Sequence, residues 1–128
     1  MPRNVWPPDL AAVVASVLRA LPAQDRAALG ALGEGEGYIL CERHELPGKW
    51  ADAGPADVRL RVDLVERFGA DAPAVVAHEL AHVLLKHSMM LTFDASPHWR
   101  AALEDEADEQ AARWLGPAAG EALARHRR

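Results

Sequence analysis

The chain is expected to fold as a small α+β domain, with helices packed on a short antiparallel or mixed sheet. Three observations predict this. Stretches near both ends, "DLAAVVASVLRAL" and "WRAALEDEADEQAARWLG", repeat apolar residues at helical spacing. Two shorter stretches between them, "YILCE" and "DVRLRVDLV", have strand character. A further stretch, "AVVAHELAHVLLKH", is apolar on most sides and is therefore expected to be a core helix.

In chain order, residues 9–21 form an amphipathic helix. Asp9 follows Pro7 and Pro8 as an N-cap, and Leu10, Val13, Val14, Val17, Leu18 and Leu21 share one face. Pro22 closes it, "AQDRAALGAL" gives a second short helix, and "GEGEG" at 33–37 reads as a flexible turn. A short apolar strand is expected over 38–42. A second, over 57–65, alternates Val58, Leu60, Val62 and Leu64 on a packed face with Arg59, Arg61 and Asp63 on a wet one. Between them "HELPGKWADAGPA" reads as a long loop from which His44 and Trp50 can line a cleft, although a lone loop histidine is more often surface decoration. Asp71 as cap and Pro73 in the first turn start a helix over about 72–88. Residues 88–98 read as a loop. A strong helix then covers 99–116, ended by Gly116 and Pro117, and a short helix over "AAGEALARH" follows. No repeat or low-complexity segment breaks the chain, so one domain is expected over 1–128.

Bulk properties narrow the function. A formal charge of −5 argues against nucleic acid as the main partner, and the basic "RHRR" end reads as a solvated tail complementing a helix C-terminus. No apolar run approaches the roughly 18 residues that span a bilayer, and "MPRNVWPPDL" lacks the pattern of a signal peptide. The single Cys41 allows no internal disulfide and suits a reducing compartment as a buried strand thiol. A cytoplasmic protein without direct membrane or nucleic-acid contact is expected.

His78, Glu79 and His82 interrupt the core helix as H-E-x-x-H. Two imidazoles four residues apart stack on one helical face, and both can reach a zinc ion at roughly 2.0–2.1 Å. Glu79 lies about 100° round from His78, at the edge of that face, where it can serve a water as base without taking a ligand place. The competing reading is a pair of satisfied structural histidines. Burying two His and a Glu without partners costs several kcal/mol, and a metal removes that cost.

Catalytic zinc wants a third protein ligand. Glu104, Asp105, Glu106, Asp108 and Glu109 crowd the next helix. Leu103, Ala107, Ala111 and Trp114 define its buried face. Glu104 lies about 50° from the centre of that face, Asp108 about 90° and Glu106 about 110°. Asp105 and Glu109 point away and read as a solvated acidic face. Glu104 is therefore the acid best aimed inward. Asp108 is placed to hold a ligand histidine through its second ring nitrogen.

"HELAH" followed by the Glu104–Pro117 pattern E-x-E-A-D-x-x-A-A-x-x-L-x-P resembles the ImmA/IrrE-type zinc metallopeptidases, from about Tyr38 to Pro117. The resemblance implies a zincin-like domain, Zn2+ held by His78, His82 and Glu104, and Glu79 as catalytic base. Asp108 falls behind the ligands in the broader Glu-zincin pattern. It also implies a specific protein substrate, typically a transcriptional regulator. The chain departs from the family at Ala81, where glycine is usual, and at Ala74–Val75–Val76, and the DNA-binding or sensor domain that many members carry is not expected in these residues.

The implied reaction is hydrolysis of a peptide bond, with Tyr38, His44, His98 and Arg100 as candidate donors to the oxyanion and strand 57–65 as an edge for an extended substrate. Two other classes stand beside it. One is a metal-stabilised binding module that sequesters a regulator without cutting it, and the other is a zinc hydrolase of a small amide. Glu79 argues against the binding module, because a purely structural site needs no base.

Overall fold

A computed structural model describes residues 6–90 and 96–126. The fold is α+β, mostly helical, with one three-stranded mixed sheet. Helices α1 (Pro8–Ala20) and α2 (Ala23–Ala28) lead through a 3-10 turn, Gly30–Glu34, into β1 (Tyr38–Cys41). Strands β2 (Ala51–Ala53) and β3 (Val58–Arg61) complete the sheet in the order β1-β3-β2, with β1 parallel and β2 antiparallel to β3. Then come α3 (Leu64–Phe68), α4 (Ala72–Leu84), α5 (His87–Met90), α6 (Pro97–Leu115) and α7 (Pro117–His126).

α4 is the hub and touches α1, β2, α6 and α7. Its Ala72, Val76, Ala77, Leu80 and Ala81 are fully buried and join Leu10 and Val17 of α1, Leu60 of β3, and Ala107 and Ala111 of α6 in one core. At about 25 cal/mol per Å² of buried apolar surface, this shared core is the main force holding the elements together. Polar ties fix the periphery. The Trp114 indole donates to Asp25 Oδ2 at 2.9 Å and so pins α6 to α2, and the Tyr38 hydroxyl donates to the Leu32 carbonyl at 2.9 Å.

Several local expectations are corrected. Pro7, not Asp9, takes the N-cap position of α1, and Asp9 lies in the first turn. "AQDRAALGAL" splits into α2 and the 3-10 turn. The long loop is not irregular throughout: Arg43–Glu45 is a 3-10 turn closed by a Glu42–Glu45 capping box, and Ala51–Ala53 is a strand. The second strand is only Val58–Arg61, because the chain turns at Val62–Asp63 and Leu64 opens α3. Arg61 does not face water. It is buried with its guanidinium 3.7 Å above the Trp50 ring while it bonds Asp63 twice, at 2.7 and 2.9 Å. Arginine's flat, weakly hydrated head makes that burial affordable.

Asp71 occupies the cap position of α4 without capping it. Its carboxylate instead takes His126 at 2.9 Å and Arg125 at 3.3 Å from the end of α7. The "RHRR" tail is therefore partly pinned and not simply solvated, and its residues 127–128 lie outside the described residues. The helix expected over 72–88 stops at Leu84. The segment expected as loop 88–98 contains α5 up to Met90 and the start of α6 at Pro97, and its residues 91–95 lie outside the described residues. Ser96 caps α6 by accepting from the Trp99 amide at 3.2 Å, which moves the helix start ahead of the expected Trp99.

Within "GEGEG" the glycines have different jobs. A β-carbon at Gly33 would run into the Arg26 carbonyl oxygen, whereas Gly35 and Gly37 hold φ of 93° and 88°. Gly33→Ala must push two backbone segments apart. Chemical denaturation should show a loss of at least about 1–3 kcal/mol, and an unchanged midpoint would refute the close approach.

Candidate metal centre

The site forms because α4 and α6 pack closely. Fully buried Ala77 and Ala81 on α4 and Ala107 and Ala111 on α6 carry little side-chain bulk, so the polar residues beside them meet across the helix pair. His78 and His82 lie one turn apart on α4, with Nε2 atoms 3.0 Å from each other. Glu104 reaches both from the second turn of α6. Its Oε2 is 2.8 Å from His78 Nε2, and its Oε1 is 3.3 Å from His82 Nε2. His78, His82 and Glu104 thus form a possible metal-binding triad, with all ligand atoms within 4.8 Å of one another. A tetrahedral ion with bonds of about 2.0–2.1 Å has ligand–ligand edges of about 3.3–3.4 Å. The separations here are slightly shorter, so small outward shifts of three side chains accommodate the ion. Two imidazoles and a carboxylate also suit zinc chemically.

The second nitrogens of both histidines are engaged. His78 Nδ1 lies 2.7 Å from Asp108 Oδ1, one turn beyond Glu104 on the same helix. His82 Nδ1 lies 2.8 Å from Nδ1 of His87, a residue without an expected role. Glu79 is buried, with Oε1 3.9 Å from His78 Nε2, beside the triad but outside it. Asp105 and Glu109 are exposed, and so is Glu106.

Electrostatics follow from this crowding. Burial disfavours a charged His78, but hydrogen bonds to Asp108 and Glu104 outweigh it and push its pKa up to about 9. Burial also works against a charged Glu104. The hydrogen bonds to His78 and His82 win, and they hold its carboxyl well below the usual range. Burial raises the pKa of Glu79, helped by the negative charges of Glu104 and Asp52 and opposed by the two histidines. Four acids and two imidazoles in one small volume are what a cation would relieve.

The triad opens into a cleft of about 400 Å³ lined by Trp50, Ala51, Asp52 and Ala53 on one side and by Val75, Glu79, Ser88, Arg100 and Glu104 on others. Trp50 does line it, held from behind by Arg61 and by Phe68, whose ring meets it edge-on at 5.8 Å. His44 does not; it lies on a separate surface hollow with Arg43 and Pro47. Of the four candidate oxyanion donors only Arg100 lines this cleft. Tyr38 is spent on Leu32, with its pKa raised by burial, and His98 is exposed at the start of α6. Strand β3 is not an edge, being paired on both sides. The edge beside the triad is β2.

Sequence reasoning missed β2 and His87. Only three residues form β2, too few for alternation to register. On an unbroken helix His87 would point about 140° away from His82. Lys86, at φ 59°, turns the chain back so that the ring lies over His82. A lysine gives no hint of a left-handed residue.

No family model matches the chain, and neither the curated proteins nor the solved structures contain a significant match.

Zinc should stabilise this site, because an ion that binds only the folded chain adds about 2.7 kcal/mol at a hundred times its Kd. A thermal melt should move up on adding zinc and return with chelator. His82→Ala should abolish the upward shift, and an equal shift in that variant would remove His82 from the ligand set.

Proposed function

We propose that this protein is a zinc-dependent metallopeptidase that hydrolyses a peptide bond in a specific regulatory protein. The observation that carries the reading is the convergence of His78, His82 and Glu104 on one point, with the buried carboxyl of Glu79 beside them and a cleft in front. This agrees with the roles implied by the resemblance to ImmA/IrrE-type peptidases and with a zincin-like arrangement, a core H-E-x-x-H helix under a small sheet.

Zinc bound there supplies Lewis acidity, making water a better nucleophile and a carbonyl a better electrophile. His78, His82 and Glu104 would hold the ion, and Asp108, bonded to His78 Nδ1, leaves the Nε2 of that ring to serve as the ligand atom. Glu79 takes a proton from the attacking water and returns it to the leaving amine. Its raised pKa favours that two-way role. Arg100, from the rim of the cleft, is the donor to the developing oxyanion.

An extended substrate pairs with β2. Trp50 and Gly54 bond inward to Arg61 and Asp57, so alternation turns the backbone groups of Ala51 and Ala53 outward. Ser88 Oγ, 3.3 Å from the Ala53 carbonyl, already takes part of that edge, which leaves Ala51 as the stronger pairing position. A cytoplasmic regulator of transcription is the substrate class that the resemblance implies. No helix among the described residues is long and apolar enough to cross a membrane.

Glu79→Gln should keep zinc but cut hydrolysis of a quenched-fluorescence peptide library by about 10²–10⁴-fold, the usual share of a general base. Wild-type cleavage by that variant would exclude Glu79 as the base. Zinc uptake without chelator-sensitive cleavage by the wild type would favour the non-catalytic binding module.

A further inference from the structure

His87 is the most deeply buried histidine of the described chain, at 1% exposure, and lies on the four-residue helix α5. The left-handed turn at Lys86 delivers its ring to His82. Such a turn costs a non-glycine residue roughly 1–2 kcal/mol, and strain of this kind persists where the surrounding structure requires it. The result is a ring-to-ring contact with Nδ1 of His82 and Nδ1 of His87 2.8 Å apart, the planes inclined at 69°.

We propose that His87 is a positioning residue for His82: it accepts the His82 Nδ1 proton, fixing the tautomer whose Nε2 lone pair faces the metal. The inference rests on the zinc reading above. At 2.8 Å one of the two facing nitrogens must donate and the other accept. Two arrangements satisfy this. In the first, His82 Nδ1–H donates to His87, leaving His82 Nε2 free to bind a cation and placing the proton of His87 on Nε2. In the second, His87 donates, which puts a proton on His82 Nε2 and blocks it as a ligand.

Glu106 favours the first. His87 Nε2 is 3.6 Å from Glu106 Oε1, longer than a hydrogen bond but well within electrostatic reach, and has no hydrogen-bond partner among the described residues. A protonated Nε2 turns its positive end to that carboxylate, whereas the other tautomer sets a lone pair against it. Glu104 Oε1, 3.3 Å from His82 Nε2, pulls the other way and draws a proton to His82 Nε2 while no cation is bound; once a cation takes Glu104 and His82 Nε2, only the first arrangement remains, and the chain Glu106–His87–His82 holds the ligand ring in it. The two ligand histidines are then held by unlike acceptors, a carboxylate for His78 and a neutral imidazole for His82. This orients both rings without placing a further charged group directly against His82.

The test compares His87→Asn, whose side-chain oxygen stands near the position of Nδ1, with His87→Leu, which fills the space without an acceptor. Zinc affinity is read by competition with a chromophoric chelator, and the fold of each metal-free variant by its melting curve. His87→Leu should bind zinc about 10–100-fold more weakly, as when an orienting partner is lost, while His87→Asn, which keeps an acceptor, should stay close to wild type. Independently, long-range proton–nitrogen NMR on the zinc-bound wild type should show His87 protonated on Nε2, with its Nδ1 accepting from His82. Equal affinity of His87→Leu and wild type, equal weakness of both variants, or a zinc-bound wild type with His87 protonated on Nδ1 would each overturn the inference. If His87→Leu fails to fold, the His87→Asn affinity and the wild-type ring spectrum still decide. A wild type that takes up no zinc would sink the metal reading and this inference with it, whereas the other outcomes sink the inference alone.

Discussion

Everything at the site depends on how closely α4 approaches α6. The pairing is made by alanines, Ala77 and Ala81 against a helix carrying Ala107 and Ala111, all fully buried. Larger residues there would widen the gap and pull Glu104 away from the two imidazoles. Interiors are packed densely enough that an added methylene is felt, so the small residues set the geometry of the site although none belongs to the triad. Asp108 fastens the same interface from its polar side through His78.

The second constraint is charge. His78, His82, Glu79, Glu104 and Asp108 are brought into a partly dry space where each would be costly alone. Without an ion, His78 compensates by taking up a proton and Glu104 by keeping its negative charge, which is why their pKa values move in opposite directions. A divalent cation would replace that proton and satisfy the same acceptors. Beside the triad, β2 and Trp50, which packs against Arg61 and Phe68, line the cleft.

The sequence made the helices and the triad legible because those rest on local periodicity. His78 and His82 are four apart, and Glu104 falls nearest the apolar stripe of its own helix, so angular arithmetic sufficed to bring them together. What stayed hidden depends on tertiary context. Alternation from Val58 to Leu64 looks like one long strand, yet the chain turns after Arg61 and Leu64 buries itself from a helix. Arg61 reads as a wet residue and is instead stacked under Trp50, a partner remote in sequence. His87 was hidden by a backbone choice at Lys86 that residue type does not announce. Asp71 is a good cap by composition but finds stronger partners in His126 and Arg125, more than fifty residues away.

The most direct measurement is X-ray absorption at the zinc edge on purified protein, with metal content determined on the same sample. The account predicts one zinc per chain in a four-coordinate shell of light atoms, two of them imidazole nitrogens with their characteristic outer-ring scattering. A spectrum without imidazole scattering, or protein that keeps no zinc after exposure to it, would contradict the account.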